Sequence, residues 1–489
     1  MERRLLARRA LAVAGTSLGP LVVTLVVAPV LVRRLGADRF GLWSLVATAI
    51  ALVASFDLGL GATAFRFLGA AQDSGERQRL LLSGGLLAAG IVAVVALATT
   101  AGNGLFLDAV DVRAALRPEA RELLWCVAPL VGLPLLSSLL VASDQVRGRF
   151  LRPAVASVSG NAVYLALALS QARPTLPRLG LSLLAGQAVT LIALLAGRRP
   201  VRARPVLLHG EARREAWAFA RRMQAANAWG FVNLEADALI IAAVLPVRDV
   251  GYYGLAVTVA SGLRLLPEIL LRPIYADLSA RSDHDREALL AVARERQTLW
   301  MRSLSCYAGF ALALAWLGTL AWLGQSYDLT ALVAVVLTAG NLVNLGTAVL
   351  STIARVVGRP ELEARYGAIS AVVNVALTAA LVPWLGLVGV CIGTAVGQVV
   401  GSTAFGRLMR PVVADRLPHY LREVLPLPVV AGLLAAGSGC ALVVAALPAG
   451  APALLVAGGW SLAVLLVLGR VLHGTLWSRT AVSPSPSPG

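Results

Sequence analysis

Long runs of alanine, leucine and valine recur along this chain, broken at short intervals by clusters of arginine, proline, glycine and aspartate. About 20 consecutive apolar residues cross the roughly 30 Å hydrocarbon core of a bilayer as a helix. Applied along the sequence, that criterion predicts fourteen spans, at 10–32, 41–65, 80–100, 121–142, 153–170, 179–197, 222–245, 250–275, 299–322, 329–352, 367–383, 386–406, 425–447 and 452–472. The first carries no internal charge and follows Arg3, Arg4, Arg8 and Arg9. A signal peptide opens in the same way, but this run is long for one and further spans follow it. The expected fold class is an all-α membrane protein of about 14 transmembrane helices, with no extramembrane loop large enough for a catalytic domain.

The spans repeat as well as alternate. Leu35-Gly36-Ala37-Asp38-Arg39-Phe40-Gly41 joins spans 1 and 2, and Leu245-Pro246-Val247-Arg248-Asp249-Val250-Gly251 joins spans 7 and 8, an offset of 210 residues. Arg152-Pro153 echoes Arg359-Pro360 at offset 207, and Pro177, Leu179 and Gly180 echo Pro383, Leu385 and Gly386 at offset 206. Six spans per unit preserve orientation, so two pseudo-repeated six-helix lobes are expected, with a substrate site between them. The corresponding domains are residues 1–200, residues 201–410 with a cytoplasmic linker at their start, two additional helices within 411–475, and a tail at 476–489 disordered by composition.

Composition narrows the chemistry. The chain is 58% hydrophobic, with a formal charge of +17, and all 43 of its basic residues are arginine. Without lysine there is no P-loop and no Schiff-base catalysis. The charge reads as loops facing anionic lipid rather than as a nucleic-acid surface. With the N-terminus inside, the cytoplasmic segments hold 32 arginines and the outer loops 9, which by the positive-inside rule places both termini in the cytoplasm. Neither the four cysteines nor His209, His284, His419 and His473 have metal-ligand spacing, so no metal and no cofactor are expected.

Charges within spans are costly and mark candidate sites. Arg264, Glu268 and Arg272 are spaced i, i+4, i+8 in span 8 and share one helix face. Arg264 lies about 21 Å down the helix from the outer end at 1.5 Å per residue. These three make either a structural ion pair with Arg272 snorkelling to the interface, or a cationic stripe facing a cavity, suited to a phosphate-bearing substrate. Asp57, in Asp57-Leu58-Gly59-Leu60-Gly61, is a candidate for a coupling proton or cation, or for an ion pair with Arg66. Glu235 and Asp237 in span 7 stand about 200° apart around a helix, so one of the two is expected to face a cavity. Asn341, Asn344, Asn374 and Gln398 either hydrogen-bond a sugar or tie helices together. Arg33, Arg34, Asp38 and Arg39 of the first outer loop are candidates for headgroup or diphosphate contacts.

The run Arg34-Leu35-Gly36-Ala37-Asp38-Arg39-Phe40-Gly41-Leu42-Trp43, then Asp57-Leu58-Gly59-Leu60-Gly61 and Arg66, resembles the start of bacterial polysaccharide-export flippases of the O-antigen type. That family belongs to the superfamily that also holds multidrug extruders and the peptidoglycan lipid flippase. Asp237 followed by Val250-Gly251-Tyr252-Tyr253 resembles its seventh and eighth helices. The resemblance implies two six-helix lobes around a central cavity, with two extra C-terminal helices here. It implies transport of polyprenyl-diphosphate-linked oligosaccharide across the bacterial plasma membrane by alternating access. Arg264 and Arg272 would hold the diphosphate, with Glu268, Arg66 and Asn341 nearby, membrane lipids around the tail, and a polysaccharide polymerase and glycosyltransferases as partners. Glu268 beside two arginines departs from the family pattern, and the coupling ion stays open. The competing expectations are an ion-coupled multidrug antiporter of the same fold and a membrane polymerase or ligase. The antiporter calls for acids rather than arginines in the cavity. The enzyme calls for a substantial outer loop, and the longest here, about 101–120, offers only Asp108, Asp111 and Glu119 as acids.

Overall fold

The computed structural model describes residues 23–55, 74–198 except 111, 236–280, 286–357, 361–413 and 427–448, with scattered positions besides. Among the described residues all regular structure is helical, and seven helical stretches are long and apolar enough to cross a membrane. The protein is a multi-pass membrane protein. It divides into two compact units, Met1–Gly254 and Leu255–Gly489.

In the first unit, α1 (23–35) and α2 (Ala37–Ser55) meet at Gly36, and α3 runs over Ser74–Ala109. A 3-10 turn at Ala114–Leu116 leads into α4 (Arg117–Trp125), which breaks at Cys126 into α5 (Val127–Val146). The helices α6 (Leu151–Ser170), α7 (Leu176–Leu195) and α8 (Ala236–Val244) follow, and then α9 (Val247–Ala280), which belongs to the first unit only as far as Gly254 and to the second from Leu255 on. Leu42, Val46, Ala88, Leu123, Val131, Leu135 and Leu176 form the core. The opposite face of α3 exposes Leu86, Val94, Leu97 and Leu105, an apolar surface suited to lipid rather than water.

The charged ends of these helices are stitched to one another. Arg34 donates to the carbonyls of Leu169 and Gln171, at 2.9 and 2.6 Å, and so closes the C-terminal end of α6. Arg39 forms a two-bonded pair with Glu119, Arg113 pairs with Asp38, and Arg117 with Asp108. At the other end, the carboxylate of Asp144 is fully buried on α5. It holds Arg198 at 2.8 Å and Arg152 at 3.9 Å. The two guanidiniums in turn donate to the carbonyls of Leu140, Leu194 and Ala196, gathering α5, α6 and α7. Burial lowers the Arg198 guanidinium from its ordinary pKa, and the Asp144 carboxylate opposes that.

The second unit continues with α10 (Arg286–Leu323), a 3-10 turn at Gln325–Tyr327, α11 (Asp328–Gly346) and α12 (Ala348–Val356). The stretch Glu361–Val413 is broken at Gly386, where φ is +52° and ψ −130°. That left-handed conformation is accessible to glycine at little cost. The two halves, α13 (361–385) and α14 (387–413), fold back on each other. Gly389, Gly393, Gly397 and Gly401 of α14 lie one turn apart against Leu381, Thr378, Asn374 and Ser370 of α13. Small residues at four-residue spacing let two helix backbones approach closely in lipid. Finally α15 (Leu427–Ala446) packs along α10, with Leu433 against Phe310, and Val464 from farther along the chain joins the same cluster.

The internal repeat is structural. Ala37 and Val247 open α2 and α9, 210 residues apart. Val146 and Val356 close α5 and α12, and Leu151 and Glu361 open α6 and α13, each pair again 210 apart. The 3-10 turns at Ala114 and Gln325 differ by 211. In that register the sequence echoes at offsets 207 and 206 are not equivalences. Arg152 stands opposite Leu362 rather than Arg359, and Gly180 lies inside α7 whereas Gly386 is a chain reversal. Within the first unit, Gly41 and Gly251 of the 210-residue echo touch. A Cβ on Gly251 would lie 3.1 Å from the Gly41 Cα, and one on Gly41 would overlap the carbonyl of Val247.

Two outcomes are expected. Asp144→Ala leaves two guanidiniums without their buried counter-ion, a loss of about 3–5 kcal/mol for a broken buried pair. Its melting temperature in detergent is expected to fall markedly, with Asp144→Glu closer to wild type. Gly393→Val forces the α13–α14 pair apart, at about 1–3 kcal/mol for overpacking. Gly406→Val, where a Cβ meets nothing within 4 Å, is the control expected to melt like wild type.

Candidate functional site

The described part of the site begins with a proline. Pro267 in α9 has no N–H, so the carbonyl four residues earlier loses its helical donor. That carbonyl belongs to Leu263, and Tyr307 of α10 donates its hydroxyl to it at 2.7 Å. In a lipid environment such a substitute donor is required. The repair ties α9 to α10 next to the charged residues of α9.

Arg264 and Glu268 form an ion pair with Arg264 Nε 2.7 Å from Glu268 Oε1. Arg264 Nη1 also donates to Asn341 Oδ1 on α11 at 3.4 Å, and the same oxygen accepts from Gln398 Nε2 on α14 at 3.4 Å. A break at Thr347 ends α11, and α12 then turns the Arg355 side chain toward α13. The carbonyls at that break are engaged from α10: Trp300 Nε1 donates to Leu345 O at 2.8 Å and Gln297 Nε2 to Gly346 O at 3.0 Å. Arg355 binds Glu363 in a two-bonded fork, at 2.8 and 2.6 Å. Asn344 Nδ2 donates to the Tyr366 hydroxyl at 3.0 Å, and the Tyr366 ring leans on Phe405, with centroids 5.0 Å apart.

These groups surround one cavity of about 350 Å³, lined by Arg264, Glu268, Asn344, Ser351, Thr352, Arg355, Glu363 and Tyr366. The lining combines two guanidiniums, two carboxylates, an amide, hydroxyls and one aromatic ring. Guanidinium forks match phosphate oxygens, and the hydroxyls, amide and carboxylates are complementary to polyhydroxylated groups. The ensemble can hold a ligand that is both anionic and rich in hydroxyls.

Of the residues singled out from sequence, the structure brings Arg264 and Glu268 together at this cavity, with Asn341 behind Arg264. The backbone of Arg272 lies on α9, and its side chain is outside the described residues, as are Asp57, Arg66 and Glu235. Asp237 is buried in the first turn of α8 and accepts from the Tyr253 hydroxyl at 3.2 Å, within the first unit. Asn374 is committed to helix pairing: its Oδ1 lies 3.1 and 3.3 Å from the hydroxyls of Thr378 and Thr394 between α13 and α14. Arg34, Asp38 and Arg39 serve the helix ends of the first unit. Arg355, Glu363 and Tyr366 were not singled out. Their signal lies in Val349, Leu350, Ile353 and Ala354, an apolar face in a short segment that leaves Ser351 and Arg355 on the other side. Among the described residues no three potential metal-ligating side chains gather.

The first unit has a cavity of its own, of about 530 Å³, where Asp38, Arg113 and Arg248 stand around largely apolar walls from α3 and α8.

No protein-family model matches the chain, and no curated protein matches it in sequence. Its fold is matched by solved structures. The lipid II flippase MurJ in an inward closed conformation superposes with a TM-score of 0.71 at 13% identity, covering 96% of this chain and 99% of that one. A multidrug resistance MATE family transporter of the MOP superfamily, in its inward-facing conformation, gives 0.61 at 14% identity, covering 82% and 94%. A MATE transporter in the straight conformation gives 0.55 at 14% identity, covering 84% and 96%. The resemblance read from Arg34–Trp43 and Val250–Tyr253 therefore agrees with these likenesses in fold, and the chain has the helical architecture shared by MurJ and the MATE transporters of the MOP superfamily.

Proposed function

We propose that the protein is a flippase that moves polyprenyl-diphosphate-linked oligosaccharide across the bacterial plasma membrane, by alternating access, for cell-surface polysaccharide synthesis. The observation that carries this reading is Arg264, an always-charged side chain on a predicted membrane span that lines a cavity rich in hydrogen-bonding groups. A charge in a membrane span is retained for a pathway or a site. Arginine keeps its proton and presents a planar fork to phosphate. In this reading Arg264 and Arg355 meet the diphosphate, while Asn344, Ser351 and Tyr366 meet the first sugar. The lipid tail stays in the bilayer. Arg272, Arg66, Asp57, Glu235 and Asp237 keep their proposed places along the pathway or in coupling, with both chain termini cytoplasmic. A polysaccharide polymerase and glycosyltransferases are the partners that would use and supply the lipid. The fold shared with a lipid II flippase, over 96% of this chain, supports the same class of cargo.

A second reading is supported by Glu268 and Glu363, which give the cavity as many acids as arginines. Acids facing a cavity suit a cationic drug, and the MATE transporters share the fold. It is the weaker reading, because a cationic ligand would have to approach both guanidiniums.

The test is flipping in proteoliposomes of a fluorescent polyprenyl-diphosphate sugar, scored by leaflet exposure. Wild type is expected to flip, and Arg264→Ala to lose at least tenfold in rate while eluting and melting as a folded protein. Retained flipping in Arg264→Ala would reduce Arg264 to a structural role. Absence of flipping in folded wild type, together with export of cationic dyes, would favour the antiporter.

A further inference from the structure

The two arginines of the cavity already have partners. Arg264 is held by Glu268 and Arg355 by Glu363, and both pairs line the same space of about 350 Å³. Glu363 occupies the fork of Arg355 in the two-bonded manner in which a phosphate binds. An anion that engages these guanidiniums through the same donors takes over positions now filled by carboxylate oxygens. The displaced carboxylates keep their place on α9 and α13, beside the anion in the same small volume. A carboxylate that loses its cation and gains a like charge is pushed toward its neutral, protonated form.

We propose that Glu268 and Glu363 are exchangeable counter-ions. The diphosphate of the transported lipid replaces them on Arg264 and Arg355, and the displaced carboxylates take up protons. The inference rests on the diphosphate reading of the site. It assigns to Arg355 and Glu363 a binding role that complements the pair on α9. No bond is made or broken apart from hydrogen bonds and the O–H of each protonated acid, and the protons come from water. The empty cavity then has two cations and two anions, and the occupied cavity two cations, a dianionic diphosphate and neutral acids. Neither state carries a large uncompensated charge through lipid, where such a charge is expensive. Binding linkage is reciprocal: if diphosphate binding takes up protons, lowering the pH must tighten diphosphate binding.

Among the described residues, the charged and titratable groups around these carboxylates come from four helices. They are Arg264 from α9, Arg355 from α12, Tyr366 from α13, and Tyr307 from α10, whose hydroxyl is given to Leu263 O. The helices α11 and α14 contribute only the amides of Asn341, Asn344 and Gln398. No histidine is among these described groups, so the proposed proton uptake falls to the two glutamates.

The experiment is calorimetric binding of a short-chain isoprenyl-diphosphate sugar to the full chain in nanodiscs. The diester phosphates of this probe hold their charge throughout the working range. Measurements from about pH 5.5 to 8, in two buffers of different ionisation enthalpy, count the protons exchanged. Wild type is expected to take up protons on binding and to bind about tenfold more tightly for each pH unit lowered, per proton taken up. The double variant Glu268→Gln, Glu363→Gln is expected to bind at least tenfold more tightly than wild type at pH 7.5, with the pH dependence gone. Binding by wild type without proton uptake overturns the inference and leaves the flippase reading intact. So does weaker binding by the double variant, provided it elutes and melts like wild type. If folded wild type binds no diphosphate at any of these pH values, the inference and the reading beneath it fall together.

Discussion

The requirement that every backbone carbonyl find a donor inside the protein governs this structure more than any single contact. Water satisfies a broken helix turn in a soluble protein, and lipid cannot. Three irregularities here are accordingly answered by named side chains. Tyr307 answers Pro267 at Leu263, Trp300 and Gln297 answer the break at Thr347, and Arg34 answers the end of α6. Such donors must stay in place for the break to exist, so each break is tied to a neighbouring helix. The cavity is made by two of these breaks, the proline in α9 and the turn between α11 and α12.

Charge follows the same economy. Only arginine supplies the positive side chains, and it donates from a wide fork that can pair with an acid and a carbonyl at once. Arg198 does so with Asp144 and the carbonyls of Leu140 and Leu194. In the cavity the same residue type is paired more sparingly. Among the described residues Arg264 has one acid and one weak amide contact, which leaves that acid exchangeable in a way that the enclosed Asp144 is not. The difference between a rivet and a binding group is how much of the acid's surroundings is protein.

Much of this was legible in the residues. Fourteen apolar runs and the Gly41/Gly251 echo pointed to a repeated helical membrane fold, because lipid imposes length and apolarity on every span. Arg264 and Glu268 were legible because charge in a span is rare and a four-residue spacing puts two side chains on one helix face. Arg355 and Glu363 were not, since in sequence they fall in a short arginine-bearing loop and read as solvated charge. Only the break at Thr347, invisible in an apolar run, turns that segment into a cavity wall. The echoes at offsets 206 and 207 misled for a related reason. Arg-Pro is common in this composition, at 117–118, 272–273 and 410–411 as well, and helix starts rather than matching letters hold the register at 210 to 211.

The reversal at Gly386 bears on how the chain enters the bilayer during synthesis. A single residue joins α13 to α14, with Trp384 largely exposed at the tip. Neither helix has a loop of its own on that side to be held back or drawn across by charge. The two must therefore insert as one hairpin, and its orientation is set from the far end, by Arg355 and Arg359 before it, Arg365 in its first turns and Arg407 and Arg410 in its last turns. The glycine stripe lets the hairpin close before either helix meets lipid alone, so this closely apposed pair of the second unit is also a single unit of biogenesis.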